Sequence, residues 1–191
     1  MKILTIATAS IALSVAAGAW AAAPNLPAMH SFGHCAAQRG PKDVIYLLDQ
    51  DFRSGGYANA LKALAKKQAS CPGAAAVAGG GVFAGVLAEE LLEYGRSAKQ
   101  VAGVIGKAPK KPVSGKDATE NAALCAVRAN PGATAQLFAA GYGSKEETAA
   151  FRALTPALNG CLKGKKLGAG GTELRSVFAL AAFRNFRAAG G

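Results

Sequence analysis

Few residues of this 191-residue chain have the side chains and spacing to do chemistry. Four cysteines stand at Cys35, Cys71, Cys125 and Cys161, with gaps of 36, 54 and 36 positions. The spacing contains neither a C-x-x-C redox motif nor the close pairs of a zinc site, so oxidised structural pairs are the chemistry it predicts. His30 and His34 lie four apart, which would place both imidazoles on one face of a helix beside Met29. These three residues raise an alternative expectation, a periplasmic metal-binding or stress-related protein holding copper or zinc.

The carboxylates give less. Asp49 with Asp51, Glu89 with Glu90, and Glu146 with Glu147 are too near in sequence to face one another on a helix. Glu89 and Glu93 do share a face, and a solvated helix surface is the expected setting for them. The glycine runs Gly79 to Gly81 and Gly168 to Gly171 lack the Gly-Lys-Ser/Thr ending and the preceding strand of a phosphate loop. No catalytic residue, metal ligand or cofactor is therefore assigned, and the expectation is a protein that is not an enzyme.

Basic charge is the other conspicuous feature. The formal net charge is +11, and much of the excess falls in two places. Arg96, Lys99, Lys107, Lys110, Lys111 and Lys116 occur without an acid among them, and Lys163, Lys165 and Lys166 open a second basic stretch. Lys107, Lys110, Lys111, Lys163, Lys165 and Lys166 are the candidate anion-binding residues, suited to an anionic envelope component or protein partner. No aromatic platform interleaves these charges, so there is no specific nucleic-acid motif.

The cysteine spacing leads to the elements that must carry it. A shift of 90 positions places Cys35 on Cys125 and Cys71 on Cys161, and the intervening segments align without a gap. Ala36 meets Ala126, Pro41 meets Pro131, Leu47 meets Leu137, Ser54 meets Ser144, and Ala63-Leu64 meets Ala153-Leu154. Conservative pairs follow, with Leu48 on Phe138, Phe52 on Tyr142 and Leu61 on Phe151. Such a register reads as an internal duplication. If both copies fold alike, the bridges are Cys35 with Cys71 and Cys125 with Cys161, chosen from the three pairings four cysteines allow. The shift also sets Glu120 and Leu124 opposite His30 and His34, which weighs against a metal site common to both copies.

Start and stop signals predict an all-α fold of two tandem copies of a unit of about 90 residues and roughly four helices, each closed by one disulfide. In the second copy, Asp117 caps a helix running to Ala129, and Asn130-Pro131 ends it and opens the next. Ser144 and Glu147 form a capping box for a third helix with Ala150, Phe151, Leu154 and Leu158 on its apolar face. Thr172 caps the last. The first copy repeats the plan with helices near 30–38, from Pro41 to about Gln50, after Ser54, and from Val82 to Tyr94.

Lys2, the apolar run from Ile3 to Ala17 and Ala19-Trp20-Ala21 have the order of a cleavable signal peptide, with cleavage expected after Ala21 or Ala23. The expected organisation is a signal peptide over 1–23, a helical repeat over 24–95, a basic, proline-containing linker over 96–116 and a second repeat over 117–191. The mature chain is then periplasmic or secreted, with no membrane span.

A cysteine, five residues and a proline, then an apolar pair, an aromatic, a serine at a helix start and a closing cysteine occur as Cys35/Pro41/Cys71 and again as Cys125/Pro131/Cys161. This pattern resembles a group of small exported bacterial helical proteins without assigned function. The resemblance covers most of the mature chain and implies compartment and fold, with no activity to carry over. The functional expectation is a non-catalytic exported binding module.

Overall fold

The computed structural model describes residues 25–77 and 80–191. The expected signal peptide and Gly79 lie outside them. Among the described residues the chain forms nine α-helices and no strand: α1 (Leu26–Arg39), α2 (Pro41–Leu48), α3 (Gly55–Lys67), α4 (Gly81–Glu93), α5 (Ala98–Ile105), α6 (Ala118–Ala129), α7 (Pro131–Ala139), α8 (Lys145–Leu162) and α9 (Gly171–Ala188). A single 3-10 turn, Ala74–Ala76, precedes α4.

Local signals set most of the boundaries. The Ser54 side chain accepts from the Tyr57 amide at the start of α3, Asp117 from the Glu120 amide at α6, and Asn130 from the Ala133 amide at α7. Each thereby satisfies one of the amides that a helix start leaves unpaired. Ser144 likewise caps α8, but Glu147 does not complete the expected box. Its carboxylate reaches the Gly143 amide at 2.7 Å and Arg175 at 2.9 Å instead of the Ser144 amide. Thr172 lies inside α9, whose N-cap is Gly170 with no side-chain cap.

The stretch expected as linker contains a helix. Ser97 and Gln100 form a complete capping box at the start of α5, and Val101 and Ile105 are buried. Lys99 on the helix, with Arg96 and Lys107 flanking it, masked this short apolar face in the charge pattern. The remainder, from Gly106 to Lys116, has no regular element and is largely exposed.

Both disulfides pair as the repeat requires, Cys35 with Cys71 and Cys125 with Cys161. The two units differ in detail, because Cys161 lies within α8 whereas Cys71 follows α3 in a turn. That turn packs closely on α1. Gly73 has φ +78°, and a Cβ there would lie 2.0 Å from the Ala28 carbonyl oxygen, so only glycine fits.

The two halves share one core. α1 lies against α4 and α6 against α9, while α4 and α9 cross each other at the centre. Phe32, Leu47, Phe83 and Leu87 of the first half join Leu124, Leu137, Phe178 and Phe183 of the second in a continuous apolar cluster. Ion pairs also cross between halves, from Arg53 to Asp117 and Glu120, from Lys116 to Asp51, and from Arg187 to Asp49.

Candidate functional site

The α4–α9 crossing creates two junctions that correspond under the shift of 90 positions, with Tyr142 opposite Phe52, His30 opposite Glu120, and Glu90 opposite Leu180. One junction is filled by interlocked polar side chains. The other is open.

Arg175 of α9, 1% exposed, anchors the filled junction. Its Nε and Nη2 donate to the two Glu89 oxygens at 3.1 and 2.5 Å, and Nη1 donates to Glu147 at 2.9 Å. The Phe138 and Ala140 carbonyls accept the two remaining protons, both at 2.9 Å. All five donors of the guanidinium are thus satisfied. The Tyr142 ring stacks on the same group, 3.9 Å from its Cζ, adding a cation–π contact.

This overturns the expectation of a solvated surface for Glu89, which is 2% exposed. Burial pushes its carboxyl up, against the pull of Arg175. Burial also pushes Glu93 up, to about 7, and the neighbouring Glu89 and Glu90 charges push it the same way. The assembly is a structural anchor: its charges answer one another, and the arginine has no donor left for a ligand.

The Met/His cluster leads into the same junction. Both histidines do share one face of α1, and both turn to Glu90, His30 Nδ1 at 2.7 Å and His34 Nδ1 at 3.1 Å. Met29 is buried in the core. Among the described residues, no three His, Cys, Asp or Glu side chains converge where a metal ion could sit.

The open junction holds a pocket of about 540 Å³ between the N-terminal ends of α4 and α6, the middle of α9 and the loops carrying Phe52 and Gly168. Phe52, Val82, Val177 and Leu180 give it an apolar floor. Its polar end is built on Glu120, 7% exposed, which accepts from Arg53 at 3.0 Å, from Arg184 at 2.9 Å and from the Lys116 amide at 2.8 Å. Burial pushes Glu120 up, but the Lys116 amide and the two guanidiniums outweigh it and hold the carboxyl below its ordinary value. Volume, position between two halves and an apolar floor facing a group of charged side chains are attributes a ligand site would have.

The six candidate lysines are all exposed and take part in no ion pair among the described residues. The fold does not bring them into one patch. The Lys110 amide donates to the Ala188 carbonyl, tying Lys107, Lys110 and Lys111 to the C-terminal end of α9. Lys163, Lys165 and Lys166 precede its other end, roughly 27 Å away along an 18-residue helix.

No family model matches the chain, and neither the curated proteins nor the solved structures contain a match to it. Among the described residues, no helix is long and apolar enough to cross a membrane. The two disulfides mark a protein that folds where thiols are oxidised. Sequence reasoning missed the pocket residues Arg53, Glu120 and Arg184. Only the 90-position shift, which sets Glu120 opposite His30 and Arg53 opposite Gly143, marks them as places where the halves differ.

Proposed function

We propose that this chain is an exported, non-catalytic binding module that engages an acidic polysaccharide of the cell envelope through its exposed lysines. The observation that carries this reading is the set of six unpaired lysines at the two ends of α9. A small anion cannot reach both groups, whereas a polyanion long enough to span the distance between them contacts both and releases counterions at each. The absence of aromatic side chains among the lysines favours a sugar polymer over single-stranded nucleic acid. Export fits the disulfides and the residues at positions 1–23, and the resemblance to small exported helical proteins points the same way.

The test is retention on immobilised heparin and binding to soluble heparin across a salt series. Affinity should fall by about tenfold or more between 0.1 and 0.4 M salt. Replacing Lys107, Lys110 and Lys111 by alanine, or Lys163, Lys165 and Lys166, should weaken binding and flatten the salt dependence. Salt-insensitive binding, or none, overturns the reading. An intact mass of protein from its exporting cell checks the compartment: cleavage after Ala21 or Ala23 and the loss of four hydrogens are expected.

A further inference from the structure

We propose that the pocket between the two halves binds a small amphipathic anion, a medium-chain carboxylate, with its head group at Arg53 and Arg184 and its chain along α9. This goes beyond the polyanion reading and shares with its surface Lys166 alone, at the pocket rim. The volume of about 540 Å³ holds a chain of some ten carbons.

The floor matches the tail. Phe52, Val82, Val177 and Leu180 present aliphatic and aromatic carbon, against which the eight methylenes and terminal methyl of a ten-carbon carboxylate are removed from water.

The polar end matches the head. Arg53 and Arg184 each reach Glu120 through a single nitrogen, Nη2 and Nη1 respectively. Arg53 Nη2 also contacts Asp117 at 3.3 Å, so Arg53 Nε and Nη1 and Arg184 Nε and Nη2 carry no hydrogen bond among the described residues. Arg53 and Arg184 face the acids Glu120 and Asp117, so this end is balanced in charge, and what it offers an incoming carboxylate is its guanidinium nitrogens without a protein acceptor, donors for two more oxygens. Lys166 adds a third cation at the rim. Asp117 and Glu173 also line the mouth; both are exposed, as Arg53 and Lys166 are, and water screens all four charges.

The matching junction in the other half shows what would close such a space. There Tyr142 stands opposite Phe52 and Glu90 opposite Leu180, and the protein's own Arg175 and Glu89 interlock beside them. In the open junction the corresponding positions are apolar, and the unused Arg53 and Arg184 donors, which water reaches at the mouth, are free to take an acceptor from a ligand.

The experiment is calorimetric titration of the mature, disulfide-intact protein with sodium decanoate, with decylammonium chloride and butyrate as controls. Saturable one-to-one binding of decanoate is expected, with decylammonium and butyrate at least tenfold weaker because one has the wrong charge and the other lacks the apolar chain. Val177→Trp fills the floor and should weaken decanoate at least tenfold while leaving heparin retention unchanged. Should that variant melt early, Lys166→Glu decides in its place, with a loss of about threefold or more expected from the reversed rim charge. The alanine variants at Lys107, Lys110 and Lys111 should bind decanoate normally, which separates this site from the polyanion surface. No saturable binding of decanoate, decylammonium binding as tightly, or undiminished binding by the substituted protein overturns the proposal.

Discussion

Gly85 of α4 and Ser176 of α9 touch at the point where the two halves cross, and a methyl group on Gly85 would lie 2.4 Å from the Ser176 Cβ. The approach is closer than any real pair of side-chain carbons, and the nearest atoms belong to the stem of Ser176 and its backbone, which cannot swing aside.

Gly85→Ala should therefore destabilise the protein, although alanine is the better helix former by about 1 kcal/mol. Overpacking at this crossing should cost about 2–3 kcal/mol net, read as a lower urea midpoint at unchanged m-value. A neutral or stabilising result would mean that α4 and α9 do not meet here.

Arg175→Met leaves Glu89 buried without its partner, and the expected loss is about 3–5 kcal/mol. Combining it with Glu89→Leu should restore a large part of that, since the cost lies mainly in the stranded carboxylate. A double variant that loses as much as the two single variants added together, in urea denaturation, would show that the two side chains act independently.

Glu93 gives the protein a pH dependence with a defined sign. Its carboxyl is pushed up to about 7 in the folded state from an ordinary 4.5, so the folded chain holds a proton that the unfolded chain has released. Stability from this group is present below about pH 4.5 and is lost as the pH rises toward 7. The groups facing it are Glu89 and Glu90 on its own helix, His30 on α1 and Arg175 on α9. Melting temperature should fall between pH 5 and pH 8. Glu93→Gln should flatten that slope and raise stability at pH 8 by about 1 kcal/mol after allowance for partial exposure. An unchanged slope in the variant would remove Glu93 as its source.

Much of the architecture is readable along the chain because the interactions that set it are local. Asp117, Asn130 and Ser144 cap the helices they precede, each through an amide three residues away. Apolar residues at three- and four-residue steps, such as Ala150, Leu154 and Leu158, mark the buried face of α8. The 90-position register carries the disulfide pairing with it.

The sites were less legible. The shared face of Glu89 and Glu93 was visible from their spacing, yet nothing nearby in sequence says what covers that face. Its cover is Arg175, 86 residues away, so a surface reading was the natural one. The buried face of α5 lay hidden among lysines for a similar reason, since Val101 and Ile105 gain their burial only when α5 packs on α7.

Taken alone, then, the sequence determines most of the helices and several of their caps, the two disulfide-closed units and the basic charge, because each depends on residues within a few turns or on a repeat that can be matched by eye. Tertiary structure alone decides that the halves share a core, that one α4–α9 junction is filled by Arg175, and that the other is left open as a pocket. Those outcomes depend on how two helices about 90 residues apart approach one another, and Gly85 against Ser176 sets that approach through a contact no local pattern encodes.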